Sequence, residues 1–220
     1  MIQKSTLDFL SQLKLNNNRE WFEDNRKNYV SAKIDFENFV QSVVDELAKT
    51  NKAYRDLRAK DCIFRIFRDV RFSKNKTPYK PNFGAVFLPG GRKSPEAGYY
   101  LHLEPGQSFI GGGQWMPDGP LLKAIRQEID YGWKEWKKIV EAPDFVKKFG
   151  EIDGEKLKKN PKGYDDNNPA IAYLKLKSFT VGHSVKDQIL TKPDFQKEIV
   201  ITFKTMKKFI DFLNRAKAED

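Results

Sequence analysis

The sequence predicts an α+β fold: a mainly antiparallel sheet of about five strands, flanked by a long N-terminal helix, a central helix and a C-terminal helix. Between residues 62 and 110, short runs rich in β-branched and aromatic residues are joined by tight turns without an intervening helix, which is typical of an antiparallel meander. Longer segments with apolar residues at helical spacing stand before and after this region. With 220 residues, 17 of them Phe, the chain can bury a substantial core as one domain spanning residues 1–220.

The N-terminal part is predicted to hold two helices. A short helix is expected at residues 5–14, and a long helix at residues 19–49 with Asn18 as its N-cap. Apolar residues are sparse early in the long helix, so a kink is expected at residues 25–28. Arg19, Trp21 and Arg26 could reach a ligand, although packing of the helix on the sheet explains Trp21 better.

Five short segments have the composition of strands, at residues 62–72, 84–88, 99–104, 108–110 and 179–185. In the third strand, alternation places one apolar row on one face, Tyr99, Leu101 and Leu103. The other face carries Tyr100, His102 and Glu104. The fourth strand runs into a glycine-rich loop, Gly111 to Trp115, whose glycines can take positive φ or approach a ligand closely.

The remaining chain is predicted to be largely helical, at residues 121–140, 143–149, 170–176 and 193–216. Asp118 and Pro120 suit the start of the first of these helices, Gly132 is expected to interrupt it, and Gly150 is expected to end the second.

Positive charge is concentrated between Arg65 and Pro81, where six basic residues are interleaved with aromatic and β-branched ones. From Arg55 to Lys93 the chain carries 11 Lys and Arg against 3 Asp and Glu, a net charge of +8, whereas the whole chain carries +10. A solubilising surface would spread its charge more evenly and would favour Lys over Arg. This basic stretch therefore predicts a surface that binds something anionic.

The predicted ligand surface combines the basic stretch with the glycine-rich loop. In the predicted strand Asp69 stands between two arginines and can orient their guanidinium groups, which suit bidentate contacts to phosphate or carboxylate. Backbone N–H groups of the glycine-rich loop can cradle an anion, although a β-bulge or a wide turn explains three glycines more simply. The predicted ligand-binding residues are Arg65, Arg68, Arg71, Lys76, Tyr79, Lys80, Gly112, Gly113, Gln114 and Trp115.

Several motifs point to one family. They are Arg65-x-x-Arg68-Asp69-x-Arg71-Phe72 followed by Asn75-Lys76-x-x-Tyr79, and the segments at residues 17–22, 98–106, 111–113 and 161–165. Together they resemble the signature of domain of unknown function 2461, a family of mostly bacterial proteins of about this length. The resemblance covers nearly the whole chain and implies a single conserved domain, but it implies no activity. Relatives often place a His where Asn168 stands in this sequence.

Candidates for acid–base chemistry are few. His102 shares its predicted strand face with Glu104, a carboxylate that could orient the imidazole, and Asp69 is the third candidate. The same row is also typical of an ordinary half-buried sheet face. No metal or cofactor is expected, because the single Cys and two His lack ligand spacing and the segment at residues 165–168 lacks the pattern of a calcium loop.

Three functions stay open at this point. The first is binding of a small phosphorylated or carboxylated molecule, and the residues do not specify whether a reaction follows. The second is a nucleic-acid-binding module, favoured by the pI of about 9.4 and by aromatic residues among the basic ones. No helix-turn-helix or zinc-finger pattern supports it, however. The third is a structural or interaction protein in which the Arg/Asp motif stabilises the fold.

The compartment is predicted from what the chain contains. Cys62 is the only cysteine and stands in an apolar segment, so an inert buried thiol is expected. The start of the chain lacks the pattern of a signal peptide, and no apolar run is long enough to span a bilayer. A cytoplasmic protein with no membrane partner is expected, and its oligomeric state is left undetermined.

Overall fold

The computed structural model of the protein describes residues 1–152 and 154–217. The α-helices are α1 (Lys4–Leu15), α2 (Arg19–Asp24), α3 (Arg26–Thr50), α4 (Ala59–Cys62), α5 (Gly119–Tyr131), α6 (Trp133–Val140), α7 (Pro143–Phe149), α8 (Ile171–Leu174), α9 (Asp187–Leu190) and α10 (Phe195–Leu213). The strands are β1 (Phe83–Phe87), β2 (Gly98–Leu103), β3 (Phe109–Gln114) and β4 (Phe179–Ser184).

The strands form one antiparallel sheet in the order β1-β2-β3-β4. The predicted α+β fold is confirmed, but the described residues form four strands rather than about five. Strands β1, β2 and β4 lie within one residue of the predicted segments at both ends. No helix in the part of the chain that the structure describes has the length and apolar content needed to cross a membrane.

The chain folds into two compact units. The first comprises Met1–Ser94, Tyr100–Ile110 and Ser184–Ile201. The second comprises Pro95–Tyr99, Gly111–His183 and the described residues from Thr202 onward. The expectation of a single domain spanning residues 1–220 stays a prediction.

The core of the first unit forms where α1 and α3 pack together. Their apolar residues recur at helical spacing, and Leu10, Leu13 and Phe36 are fully buried. Phe36 stacks on Phe83 of β1 with ring centroids 5.2 Å apart, so the same face of α3 also contacts the sheet. Full burial of each such side chain contributes about 1.5–3 kcal/mol of hydrophobic stabilisation.

The core of the second unit is aromatic. Trp136 of α6 is fully buried and contacts Phe209 and Phe212 of α10, with ring centroids 5.6 and 5.0 Å apart. Phe203 of the same helix stacks on Tyr99 at 4.4 Å. The C-terminal helix is thus held by ring contacts on two sides, because Phe203 and Phe212 lie about 2.5 turns apart.

Both predicted interruptions of long helices occur. The Asn18 side chain accepts a hydrogen bond from the Trp21 N–H and caps α2. The helix then breaks at Asn25, whose side-chain amide donates to the Trp21 carbonyl and so competes with the helical backbone bonds. Gly132 separates α5 from α6, and the position leaves little room for a side chain, since a Cβ there would lie 2.9 Å from the Glu128 carbonyl oxygen.

The prediction of a strand at residues 62–72 is wrong. Cys62 ends helix α4, and the following residues form only two isolated bridges, Ile63 to Ala85 and Phe67 to Tyr79. The composition of this segment favours a strand, but the chain leaves the sheet after Phe67 and turns through a loop whose hydrogen bonds are internal. No neighbouring strand therefore pairs with the backbone of these residues.

The prediction of a glycine-rich loop at residues 111–115 is also wrong, because Gly111 to Gln114 belong to β3. A Cβ at Gly112 would lie 2.5 Å from Met206 Sδ and 2.7 Å from the Gly98 carbonyl oxygen. Gly113 has a φ of +126°, and a Cβ there would collide with the carbonyl of Phe179. These glycines therefore let neighbouring backbones and α10 approach the strand closely.

Candidate functional site

The basic stretch forms a closed loop at residues 68–78, hereafter the basic loop. Its ends are joined by a hydrogen bond from Arg68 N to Pro78 O of 2.9 Å. Just outside, Lys80 N donates to Ile66 O at 2.8 Å. The two ends therefore pair like a short hairpin, and the residues between them project as one loop.

The basic loop is held together by its own side chains. The Arg68 guanidinium donates to Thr77 Oγ1 and, at 3.5 Å, to Ser73 Oγ. The Lys76 ammonium donates to the Val70 carbonyl at 3.0 Å. Two of the predicted ligand-binding cations thus stabilise the loop in this structure.

Arg71 and Asp69 form an exposed bidentate pair. The guanidinium donates to the two carboxylate oxygens at 2.9 and 2.7 Å, and this bonding lowers the pKa of Asp69. Asp69 therefore pairs with Arg71, and the Arg65 charge acts on it only from a distance. Phe72, next in the chain, is 96% exposed at the end of the loop and lies 5.8 Å from the Arg71 guanidinium.

Tyr79 anchors the base of the basic loop. Its ring is buried and stacks on Phe22 of α2, with centroids 3.9 Å apart. The Asn17 side chain donates to the Tyr79 carbonyl at 3.0 Å and accepts from its N–H at 3.1 Å. Because the ring packs in the core, Tyr79 holds the neighbouring residues in place.

Lys80 and Arg65 are two cations near one another. Lys80 is half-buried, and its ammonium lies 5.8 Å from the centroid of the Phe64 ring. Burial lowers the pKa of Lys80, and the positive charge of Arg65 lowers it further. Among the residues that the structure describes, neither cation has a carboxylate partner.

His102 lies at the centre of a hydrogen-bonded row on the outer face of β2. Its Nδ1 is 3.2 Å from the Tyr100 hydroxyl and 3.5 Å from the Asn82 amide. Its Nε2 is 3.2 Å from Glu104 Oε2, and the other oxygen of Glu104 accepts from Lys14 at 2.9 Å. The predicted sharing of one face by Tyr100, His102 and Glu104 is confirmed.

The hydrogen-bond partners of His102 indicate which ring nitrogen carries its proton. Glu104 is a carboxylate acceptor, so the neutral imidazole carries its proton on Nε2, and Nδ1 accepts from the Tyr100 hydroxyl. Burial raises the pKa of Tyr100 to about 12, which keeps the phenol protonated as a hydrogen-bond donor at neutral pH. Gly84 makes room for it, because a Cβ there would lie 2.5 Å from the Tyr100 hydroxyl oxygen.

Phe64 lies between the Lys80–Arg65 pair and the His102 row. The centroid of its ring is 6.2 Å from the centroid of the Tyr100 ring and 5.8 Å from the Lys80 ammonium. We define the sheet-face site as Phe64, Arg65, Lys80, Asn82, Tyr100, His102 and Glu104. Of these, the sequence pointed to Arg65, Lys80, His102 and Glu104 as candidates. It missed Asn82, and Gly84 and Lys14 around the site, because only the pairing of β1 with β2 and the position of α1 bring these residues to His102.

The remaining predicted residues lie in the second unit. The Gln114 side chain donates to the Pro95 carbonyl at 3.1 Å, and Trp115 is 69% exposed. Gly112 and Gly113 serve the strand packing described above. The expectation that these residues share one ligand surface with the basic stretch stays a prediction.

The acidic segment at residues 165–168 forms local turns. Asp165 Oδ1 accepts from the Asn167 N–H and Asn168 Oδ1 from the Ala170 N–H, both at 2.8 Å. The Asn168 amide also donates to Asp130 at 2.7 Å. Within residues 1–152 and 154–217, no three His, Cys, Asp or Glu side chains are grouped to hold a metal ion.

Comparison with known proteins bears on the whole chain. The model of one family, domain of unknown function 2461, described as a conserved hypothetical protein, matches residues 5–212. The chain belongs to this family. The family's matched region includes the basic loop, the sheet-face site and most of both units. No curated protein and no solved structure matches the chain.

Proposed function

We propose that this protein binds a small anionic molecule, phosphorylated or carboxylated, at the sheet-face site. The supporting observation is the pair formed by half-buried Lys80 and neighbouring Arg65, which lack a carboxylate partner in the described chain. A partly desolvated cation without a counter-charge is unfavourable, and an anionic ligand would supply the missing charge.

The His102 row complements this charge. The Tyr100 hydroxyl is 3.2 Å from His102 Nδ1, and the Asn82 amide is 3.5 Å from the same nitrogen. Glu104 holds the other side of the ring through Nε2, and Lys14 in turn holds Glu104. An anion at the site would therefore meet two cations, and the Asn82 amide has a second N–H to donate. The proposal concerns binding and assigns no bond-making step.

Replacement of Lys80 tests the proposal. Lys80→Met keeps the apolar stem on Phe64 but removes the charge, and Lys74→Met removes an equal charge from the exposed basic loop. Calorimetric titration with inorganic phosphate, sugar phosphates, nucleotides and small carboxylates should find a ligand of the wild type. We expect Lys80→Met to weaken its binding at least tenfold, because a charge-assisted hydrogen bond is worth roughly 1.5–3 kcal/mol.

The Lys74→Met control should bind as the wild type does. Equal loss in both variants would show a general charge effect rather than a site, and a panel without any bound anion would reject the proposal.

A second candidate function is binding of single-stranded nucleic acid by the basic loop. The observation that favours it is Phe72, which is almost fully exposed beside Arg71, with Lys74 and Lys76 also exposed in the same loop. Exposed aromatic rings stack on bases, and the neighbouring cations contact phosphates.

Fluorescence anisotropy with a labelled oligonucleotide tests this candidate. If Arg71, Lys74 and Lys76 each contact one phosphate, a plot of log affinity against log salt concentration should have a slope of about −2. Lys74→Met removes one contact and should make this slope shallower by about 0.7. Phe72→Ala should weaken binding by about 1–3 kcal/mol. This function is excluded if no oligonucleotide binds, or if the affinity changes neither with salt concentration nor in Phe72→Ala. Lys80→Met is the matched control.

A cytoplasmic location is a further part of the proposal. Cys62 is fully buried at the end of α4, and burial raises the pKa of its thiol to about 12, so the thiol is protected from oxidation. Such a thiol is compatible with a reducing compartment.

A further inference from the structure

A groove of about 270 Å³ lies among α1, α2 and the start of α3 in the first unit. Its walls include Phe9 and Trp21, together with the polar side chains of Asp8, Gln12 and Asn28. None of these residues belongs to the sheet-face site or the basic loop. The volume is close to the lower end of the range for small-molecule sites, which suits one small ring rather than an extended ligand.

One wall of the groove is a supported indole ring. Trp21 is half-buried and stacks against Phe9, with centroids 6.0 Å apart and planes 25° apart. Phe9 in turn contacts Phe22 and Tyr29. The indole is therefore held by an aromatic cluster and offers a rigid apolar surface, against which the C–H face of a saturated ring can pack.

The facing groups are hydrogen-bonding side chains with free capacity. Within the described chain, the side chains of Asp8 and Gln12 make no hydrogen bond to other protein groups. Asn28 donates one bond to Asn25 at 3.2 Å, which leaves its carbonyl oxygen and a second N–H available. Two amides and one carboxylate can thus accept from and donate to several hydroxyl groups at once.

The charge around the groove selects against ions. Asp8 is the only charged side chain among the described residues that line it, so an anion would meet a carboxylate and no cation. Residues 1–54, which include the whole lining, carry 8 Lys and Arg against 8 Asp and Glu, so this part of the chain has no net charge to attract an ion of either sign. A neutral ligand with many hydroxyl groups fits both facts.

We propose that this groove binds a neutral polyhydroxylated ring, of the kind found in a sugar residue, with the ring stacked on Trp21 and its hydroxyl groups bonded to Asp8, Gln12 and Asn28. The site is chemically the opposite of the cationic sheet-face site, and its walls come from helices α1 to α3 rather than from strand β2.

Two-dimensional NMR titration of the full chain tests the proposal. The probes are the methyl glycosides of glucose, galactose, mannose and N-acetylglucosamine, with tetramethylammonium and inorganic phosphate as charged comparisons. We expect at least one glycoside to cause saturable shifts of the Trp21 indole N–H, a resonance assigned by its loss in Trp21→Leu.

Variants locate the binding. Asn28→Ala should weaken it roughly three- to tenfold, the loss expected for one hydrogen bond. Trp21→Leu, which lacks the indole and is followed through the backbone amides of Gln12 and Asn28, should weaken it more than tenfold. Thermal unfolding checks that both variants fold. Asn38→Ala removes an exposed amide from the same helix but outside the groove, and it should bind as the wild type does.

The proposal is overturned if no glycoside shifts the Trp21 resonance, if Asn28→Ala binds like Asn38→Ala, or if tetramethylammonium or phosphate binds there instead. Because the variants leave Lys80 and Arg65 untouched, these outcomes are distinguishable from failure of the anion site.

Discussion

Lys80 is the residue on which the proposed anion site depends. Burial and the charge of Arg65 both lower the pKa of its ammonium group. The group therefore loses its proton at a lower pH than an ordinary lysine, whose pKa is about 10.4. Anion binding that uses this charge is present at low pH and is lost as the pH rises through the lowered pKa.

The pH dependence gives a prediction for this residue. The affinity of the wild type for its anion should fall as the pH is raised from neutral toward the ordinary lysine pKa of about 10.4, whereas Lys80→Arg should retain it because a guanidinium stays charged in this range. Calorimetric titration across this interval measures the effect. Lys74→Arg should keep the wild-type profile, and an identical profile in Lys80→Arg would show that Lys80 does not titrate with binding.

The position of the Tyr100 side chain explains why residue 84 is a glycine. Its hydroxyl reaches His102 across the space above Gly84, where a Cβ would lie 2.5 Å from the hydroxyl oxygen. Nothing in the sequence marks Gly84 as part of the site, since it reads as an ordinary small residue in a strand. Only the pairing of β1 with β2 reveals that this glycine makes room for the phenol.

At the scale of elements, the basic loop replaces the expected central strand. Arg68, which the strand prediction assigned to a sheet face, instead donates to the hydroxyl groups of Thr77 and Ser73 in the same loop. Asn75 adds to this by accepting from the Thr77 N–H at 2.9 Å. Local side-chain bonds therefore outweigh strand propensity in this segment.

Arg68 is expected to stabilise this loop. Arg68→Ala removes its hydrogen bonds to the two hydroxyl groups and should lower the free energy of unfolding by roughly 1.5–3 kcal/mol. A buried ion pair would cost more, but the partners of Arg68 are hydroxyl groups. Urea unfolding measures the loss. Arg71→Ala, on an exposed side chain of the same loop, is the control and should unfold at the same urea concentration as the wild type.

A native-like urea midpoint for Arg68→Ala would remove the structural interpretation of the motif and return Arg68 to the candidates for ligand binding. The two interpretations predict different measurements, so one pair of variants separates them.

The glycines of strand β3 also have a packing role that depends on residues remote in sequence. Three consecutive glycines favour a loop when read alone, but the positions of Met206, Gly98 and Phe179 require the absence of a Cβ at Gly112 and Gly113. Their role is close packing of the strand, and the feature that would have shown this, the neighbouring backbone, is remote in sequence.

For the whole molecule, the distribution of charge matters more than its sum. Most of the net charge of +10 comes from residues 55–93, all of which lie in the first unit. A chain that concentrates its cations in this way attracts anions to one region, and this attraction weakens with salt. Lys80 and Lys74 lie in the same region but in different surroundings, so their variants separate a small-anion site from a polyanion surface.

The sequence by itself determined the α+β class, three of the four strands, the breaks at Asn25 and Gly132, the caps at Asn18 and Asp118, and the family. It also determined that Tyr100, His102 and Glu104 share a face. These features depend on local periodicity, turn residues and capping, which act between residues close in the chain. Tertiary structure alone decided that residues 62–72 leave the sheet and that Gly112 lies in a strand.

Tertiary structure also decided which residues form the site. Lys14 and Asn82 reach the His102 row, and Lys80 reaches Phe64, only through strand pairing and helix packing. The groove at Trp21 exists for the same reason, since its walls come from three helices. Contacts between distant residues depend on which surfaces the whole chain can bury together, and no window of neighbouring residues contains that information.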